Sequence, residues 1–423
     1  MNNTAFQIYR FISIIEKLCV VKRVILLSTG GDESDADHIF KLSFLALMVA
    51  PYLKQEINYA KLLELALVHD IVEAETGDIE TSQHASNPEI KKQKKEREQQ
   101  AIEHYKSILP YPLNKNIYDI YMEYEARQTK ESKVLKFLDR LDARIQSCLY
   151  DNGDLIYWQK GSNVQWYYED ILRKQFSIKE LEEDILDNLE TVVIEAAKAA
   201  FIKSGIPLYN YQAPLKPIDK TAQQILDFYK VTEKLCSINR DNLLHNGEQE
   251  SDSDHIFKLA FLVMMIAPYL KKPHNYTKLL EMALVHDIVE AETGDYSLST
   301  QTPEIKTRKK QKEQEAIEHY KSVLPHPLNE KIYDLFNEYE ARQTHEAKLI
   351  YALDKLEANL QMNANNAGDL NYVCELENGH WYFEYSTAKK ELIKELDEEI
   401  LSELENVIIN VTKDNIKKCK ASA

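Results

Sequence analysis

Residues that interrupt or staple a chain are scarce here. Only 10 Gly and 12 Pro are spread over 423 residues, which leaves little room for disordered linkers. Five cysteines, an odd count in no CxxC spacing, argue against a disulfide framework and read as reduced packing residues of a cytoplasmic protein. Cys19 and Cys236 occupy matching places in the chain. The most apolar stretch, Ile39 to Ala50, holds Lys41 and ends at Pro51, far short of the about 20 residues a membrane span needs. The opening residues MNNTAFQIYRF have neither the basic start nor the apolar core of a secretory leader. No convincing run of alternating strand residues occurs, although short extended pieces are possible at Leu155–Trp158 and Asn371–Cys374. Positive charge is in deficit, with 52 basic against 69 acidic side chains and a net charge of −17. A field of that sign repels polyanions, so neither nucleic acid nor a membrane is an expected partner. Small phosphate-bearing substrates remain permitted, because a metal ion and a few local cations can reverse the sign inside a pocket.

What is present is helical and written twice. Apolar residues make up 44% and charged residues 29% of the chain, as in ordinary globular protein. Leu, Ile, Glu, Lys and Ala recur at helical spacing, which predicts an all-α fold. The thirteen residues ALVHDIVEAETGD occur at Ala66–Asp78 and again at Ala283–Asp295. An offset of 217 residues carries His38 to His255 and His69 to His286, and an offset of 215 carries Asp139 to Asp354. A period this long means domain duplication, not stacked small repeats. The expected domains are residues 1–210 and 218–423. A connector at 205–217 is marked by GIPLYNYQAPLKP, with one Gly and three Pro.

In the first copy the pattern predicts helices over Gln7–Val21, His38–Ala50, Lys61–Thr76, Pro88–Leu109, Ser132–Leu149 and Ile178–Lys203. The last has a counterpart at Leu392–Lys417. SDAD before His38 supplies helix N-caps, and Gly77 suits a left-handed C-terminal cap.

The helix over Lys61–Thr76 is apolar nearly all round yet carries His69, Asp70 and Glu73, which helical spacing sets on one face. Burying an imidazole and two carboxylates without partners costs several kcal/mol. A divalent cation is the most economical compensation, and His nitrogen and Asp oxygen are ordinary ligands for first-row metals. His38 and Asp139, each on a further apolar helix, complete a set of two His and two carboxylates, as in metal sites built between packed helices. Water at such a site is acidified toward a pKa of about 7. Glu73 is then placed to orient or deprotonate that water, and Asp78 to protonate a leaving oxygen or hold substrate.

These segments resemble the HD-domain phosphohydrolases, and within them the 5′-deoxynucleotidase branch. The matching text is ESDADHIFKLSF, ALVHDIVEAETGD and EYEARQTKESKVLKFLDRLDA, repeated as ESDSDHIFKLAF, ALVHDIVEAETGD and EYEARQTHEAKLIYALDKLEA. It covers about two-thirds of each repeat. The resemblance implies two tandem HD-domain helical bundles forming a pseudo-dimer, since members commonly pair; further oligomerisation is possible. It implies one divalent ion (Mn, Co, Fe or similar) per domain, on His38, His69, Asp70 and Asp139 and on His255, His286, Asp287 and Asp354. Glu73 and Glu290 would act on the nucleophilic water, with Asp78 and Asp295 as catalytic partners. The implied reaction removes phosphate from deoxynucleoside 5′-monophosphates.

The family also places an Arg before the first His to contact substrate. Arg23 and Arg240 each stand fifteen residues before that His, and Arg suits bidentate phosphate recognition. Some bacterial members follow this Arg with an aromatic residue that helps select the deoxy sugar. Val24 and Asp241 stand there instead, which puts sugar discrimination in question. Rival readings are hydrolysis of nucleoside triphosphates or signalling nucleotides, and a metal- or nucleotide-binding regulator with little chemistry.

Other signals admit bland readings. Lys41 and Lys258, three residues after the first His, can face the pocket or snorkel to the surface. The runs KKQKKER (Lys91–Arg97) and KTRKKQK (Lys306–Lys312) read as solvated helix faces. Aromatic groups at Trp166–Tyr168 and Trp381–Phe383 can stack a base or pack a core. Asp142 and Glu357, three residues after the last ligand Asp, can support the ligands from behind or be surface charge.

Overall fold

The computed structural model describes residues 4–78, 87–149, 181–203, 217–296, 302–364 and 390–422. The first copy begins with α1 (Thr4–Ile15), a tight 3-10 turn (Glu16–Cys19), and an antiparallel hairpin of β1 (Lys22–Leu26) and β2 (Asp32–Ser34). It continues through α2 (Asp35–Val49), α3 (Tyr59–Val68), the single turn α4 (Glu73–Thr76), α5 (Pro88–Ile108), α6 (Leu113–Ala126), α7 (Lys130–Leu149) and α8 (Asp184–Lys203). The same order recurs as α9 (Lys220–Glu233), β3 (Asn239–Leu243), β4 (Gln249–Ser251), α10 (Asp252–Ile266), α11 (Tyr276–Val285) and α12 (Glu290–Thr293). Then come α13 (Pro303–Val323), α14 (Leu328–Ala341), α15 (His345–Ala364), α16 (Lys390–Leu396) and α17 (Glu399–Ser422). The architecture is all-α, decorated among the described residues by these two hairpins.

The core is organised around α2 and α10, whose residues are buried from end to end. A helix buried all round must be surrounded: α2 packs on α3, α7, α9 and α10, and α10 packs on α11 and α15. The two copies therefore meet along these central helices. Equivalent aromatic contacts close the contact from both sides, Phe11 with Phe261 at 6.1 Å and Phe44 with Phe228 at 6.2 Å. Each copy's last helix also lies on the other's first, α8 on α9 and α17 on α1. Of the connector expected at 205–217, only Pro217 falls within the described residues.

Several expected boundaries shift. The helix expected over Gln7–Val21 stops at Ile15, and the chain turns into a hairpin that alternation did not signal. Its strands are short: the first is a mix of exposed and half-buried residues, and the second runs from one exposed residue into buried Glu33 and Ser34. α2 starts earlier than expected, capped by Ser34, whose hydroxyl accepts from the Asp37 N–H while Asp37 accepts from the Ser34 N–H. The helix expected over Lys61–Thr76 is two helices with a tight turn between them at His69–Val72. Gly77 has φ 70 and ψ 158, outside the left-handed helical cap expected for it and in a region open only to glycine. The C-terminal helix expected over Leu392–Lys417 is broken at Asp397, which has φ 55. The pieces at Leu155–Trp158 and Asn371–Cys374 and both aromatic groups lie outside the described residues.

Candidate metal centre and active site

The central helix α2 presents His38 in its first turn, wholly buried. α3 ends on His69, Asp70 follows in the turn, and α4 opens with Glu73. The break matters: it lets His69 and Asp70 point to one spot while Glu73 restarts a turn further on. α7 brings Asp139 and, three residues later, Asp142. The missed hairpin carries Arg23.

His38, His69 and Asp70 offer ligand atoms that lie within 4.8 Å of one another, as do His255, His286 and Asp287. In the first copy His38 Nε2 lies 3.2 Å from His69 Nε2, and Asp70 Oδ2 lies 3.0 Å from His69 Nε2. Asp139 Oδ1 stands 3.5 Å from His38 Nε2. The second copy repeats this, with Asp287 Oδ2 at 3.0 Å from His286 Nε2 and Asp354 Oδ1 at 3.3 Å from His255 Nε2. All eight residues expected as ligands thus converge in two groups of four.

Tautomers decide what these groups can hold. His69 Nδ1 is 2.8 Å from the Ala66 carbonyl, and His286 Nδ1 is 2.8 Å from that of Ala283. A carbonyl only accepts, so each of those nitrogens carries the proton and each Nε2 is left with a lone pair. His38 Nδ1 donates to Asp142 at 2.7 Å, and His255 Nδ1 to Glu357 at 2.5 Å. In the neutral rings the Nε2 lone pairs then face one another beside two carboxylates, and in the second copy both Nε2 atoms are buried without a hydrogen-bond partner. Such a donor set needs a cation between its members, so the residues fit a divalent metal.

The electrostatics agree. Burial and Arg23 oppose charge on His38, yet hydrogen bonds with Asp139 and Asp142 outweigh them and push its pKa up to about 10. In His255 burial and Arg240 are outweighed by Glu357 and Asp354, giving about 9. Each pocket favours positive charge at that point. Burial works against the charged form of Asp70 and Asp287 too, but their histidine neighbours hold both carboxyls below the usual range. Glu73 goes the other way: burial, then Asp70 and Asp35, raise it well above the ordinary carboxylate value. Glu290 is raised by burial, Asp287 and Asp252.

Arg23 is not free. Its Nε lies 3.2 Å from Glu33, and its Nη1 lies 3.5 Å from Asp35 and 3.7 Å from Asp70. Arg240 meets Glu250, Asp252 and Asp287 in the same way. Asp78 and Asp295 stand just past Gly77 and Gly294, half-buried, and their charges act on Arg23 and Arg240 and on Glu73 and Glu290. The side of Asp70 stays 24% exposed, which marks the open face of the site.

Other participants went unread or were discounted. Lys94, inside the run read as a solvated face, reaches Glu73 at 3.1 Å, and Lys309 reaches Glu290 at 3.0 Å. The other basic residues of those runs give no such signal, so spacing alone did not single these out. Tyr124 and Tyr339 donate to Asp139 and Asp354. Lys41 and Lys258 are wholly buried, not snorkelling, each paired with a buried glutamate, Glu33 and Glu250. A single lysine in a helix otherwise apolar was the available clue.

The profile of the HD-domain family matches residues 15–175 and 232–398. Human 5′-deoxynucleotidase HDDC2 is 32% identical over 142 residues, which span 33% of this chain and 67% of the human protein. Its mouse relative is 28% identical over 184 residues, spanning 43% of this chain and 86% of that protein. A crystal structure of a predicted metal-dependent phosphohydrolase from Magnetospirillum magnetotacticum MS-1 aligns with 47% of this chain and 97% of its own, with TM-score 0.37 and 22% identity.

Proposed function

We propose that this chain, which belongs to the HD-domain family, is a metal-dependent phosphohydrolase that removes phosphate from (deoxy)nucleoside 5′-monophosphates at two sites. The observation that carries the reading is the pair of buried His–His–Asp groups whose ligand atoms converge, with the inward nitrogens of His69 and His286 left as acceptors by their Nδ1–H bonds to backbone carbonyls. The names of the relatives supply the substrate class. His38, His69, Asp70 and Asp139 would hold one ion, and His255, His286, Asp287 and Asp354 the other. A bound divalent ion supplies Lewis acidity toward a phosphoryl oxygen and makes nearby water more acidic.

The protein side of the reaction follows from the neighbours. Glu73, buried and raised, is positioned to receive a proton from attacking water, and Lys94 keeps it oriented. Arg23 faces the open edge beside Asp70 and can turn part of its guanidinium to phosphate. Asp78, whose charge acts on Arg23, would give a proton to the departing 5′-oxygen. Glu290, Lys309, Arg240 and Asp295 take these roles in the second copy. Val24 is 39% exposed beside Arg23, so we propose relaxed selection between deoxyribose and ribose. Among the described residues no helix is long and apolar enough to cross a membrane; a cytoplasmic setting is part of the proposal. The two copies are proposed to form an intramolecular pseudo-dimer, with domains 1–210 and 218–423.

Phosphate release from deoxy- and ribonucleoside monophosphates, triphosphates and cyclic nucleotides with Mn²⁺ or Co²⁺ tests this. Parallel reactions use His69→Ala/Asp70→Ala, His286→Ala/Asp287→Ala and the combined variant. Metal-dependent monophosphate turnover that only the combined variant abolishes is the expected result. Cleavage of triphosphates or cyclic nucleotides alone overturns the substrate class. Silence across the panel despite bound metal overturns the enzyme and favours a regulator.

A further inference from the structure

Behind each metal centre runs a line of buried side chains that ends in the other copy. From His38 Nδ1 the line passes to Asp142 at 2.7 Å, whose other oxygen lies 3.7 Å from Lys41 Nζ. Lys41 donates to Gln146 Oε1 at 3.0 Å, and Gln146 Nε2 donates to Glu233 Oε1 at 2.5 Å. Glu233 belongs to the second copy and also accepts from the backbone N–H of Ser28 at 2.7 Å. From His255 the equivalent line runs through Glu357, Lys258 at 3.1 Å from it, and Gln361 at 2.5 Å to Glu16 of the first copy. Glu16 also accepts from the N–H of His245 at 2.8 Å and pairs with its ring at 2.6 Å. Every side chain of the two lines is buried, His245 excepted, and the same order of residues appears in both directions.

We infer that Glu233 is a positioning residue for the metal centre of the first copy and Glu16 for that of the second, so that each half of the chain completes the other's site. This rests on the proposed metal centres, since the lines end on their histidines. The physical argument is one of satisfaction in a dry interior. Gln146 can offer its carbonyl oxygen to Lys41 only if its amide group finds acceptors elsewhere: Glu233 Oε1 takes one bond at 2.5 Å and the Leu26 carbonyl the other at 3.3 Å, while Gln361 donates to Glu16 at 3.3 Å and to the Leu243 carbonyl at 2.8 Å. Lys41, so held, stays beside Asp142, and Asp142 keeps His38 in the tautomer with its free nitrogen toward the ligand cluster. Remove Glu233 and the amide of Gln146 keeps only the longer bond to the Leu26 carbonyl and loses its charged partner; Lys41, still paired with Glu33, is held less firmly beside Asp142, and the aim of the His38 ring loosens.

The test uses the full chain with one centre disabled and reads Mn²⁺ affinity by chelator competition, alongside thermal melting. In the His286→Ala/Asp287→Ala background, Glu233→Ala is expected to weaken Mn²⁺ binding about 10-fold or more, the range found for groups that orient ligands. Glu233→Gln, which keeps an acceptor, restores most of it. In the His69→Ala/Asp70→Ala background the loss falls instead on Glu16→Ala. Should Glu233→Ala not fold, Gln146→Leu breaks the same line within one copy and carries the same expectation. Equal weakening of both centres by either glutamate variant, in step with a lowered melting point, overturns the inference in favour of plain packing. Unchanged Mn²⁺ affinity overturns it as well, while leaving the metal centres standing. A parent chain that binds no Mn²⁺ overturns the metal reading and this inference together.

Discussion

Lys41 shows how much one side chain can be asked to balance. Its ammonium sits wholly buried, paired with Glu33 and facing Asp142, both equally buried. Removing one partner from such a group leaves the others as uncompensated charge, at a cost of about 3–5 kcal/mol. Lys41→Met is therefore expected to lower the urea midpoint sharply. Lys54→Met, at an exposed pair with Asp184, should leave the midpoint almost unchanged, because solvent screens such a pair. Similar midpoints for the two would mean that the buried cluster relaxes or admits water. At this scale the sequence was informative where residue types were improbable: His69 and Asp70 in an apolar helix, His38 after its caps. It left Asp142 and Glu357 open between support for the ligands and surface charge, because a carboxylate at a helix position looks the same whether it meets solvent or a histidine Nδ1. Lys94 and Lys309 were hidden by their own run of lysines.

Among the elements, the turn from α3 to α4 does the aiming. A continuous helix over Lys61–Thr76 was the natural reading of its periodicity, and periodicity does not register a turn as short as His69–Val72. The hydrogen bonds show the change: Ile71 and Glu73 donate to carbonyls three residues back, where a regular α-helix would use the fourth. Gly77 then leaves the helix at φ 70 and ψ 158. A Cβ there meets nothing within 4 Å, so the cost of Gly77→Ala is backbone strain alone, about 1–3 kcal/mol. That strain bears on Asp78, the next residue. With the second centre disabled, Gly77→Ala is expected to lower kcat of the first site at least 10-fold, a barrier increase of about 1.4 kcal/mol. The fold should survive, as circular dichroism will report. An unchanged kcat would show that Asp78 takes no part in the reaction. The hairpins escaped the sequence reading for a different reason: Lys22–Leu26 is half-exposed and short, so no buried face imposes alternation.

At the scale of the whole molecule, the sequence shows the repeated segments, but not the way the copies meet, since a repeat carries no record of which faces pair. The structure supplies an asymmetry at that contact. Asp37 and Asp254 are equivalent capping residues at the N-termini of α2 and α10. Asp37 Oδ1 accepts from the Ser253 hydroxyl of the other copy at 2.6 Å. The residue matching Ser253 in the first copy is Ala36, and Asp254 Oδ1 is buried with no hydrogen-bond partner. Burial and the nearby Asp37 accordingly push Asp254 up to about 7. If the copies are paired by a pseudo-twofold axis, a hydroxyl at position 36 reaches Asp254 as Ser253 reaches Asp37. Ala36→Ser is then expected to stabilise the chain by about 0.5–1.5 kcal/mol, the net value of one hydrogen bond. Ser253→Ala, which leaves a second buried carboxylate oxygen unpaired, is expected to cost about 1–3 kcal/mol. Denaturant midpoints of the two variants and the parent decide it. Opposite shifts support the pseudo-twofold, because only that symmetry predicts a gain from a hydroxyl placed where the parent has none. A loss from both substitutions would mean that the contact at Asp254 is closed differently, and that the resemblance between the two halves stops short of the surface where they meet.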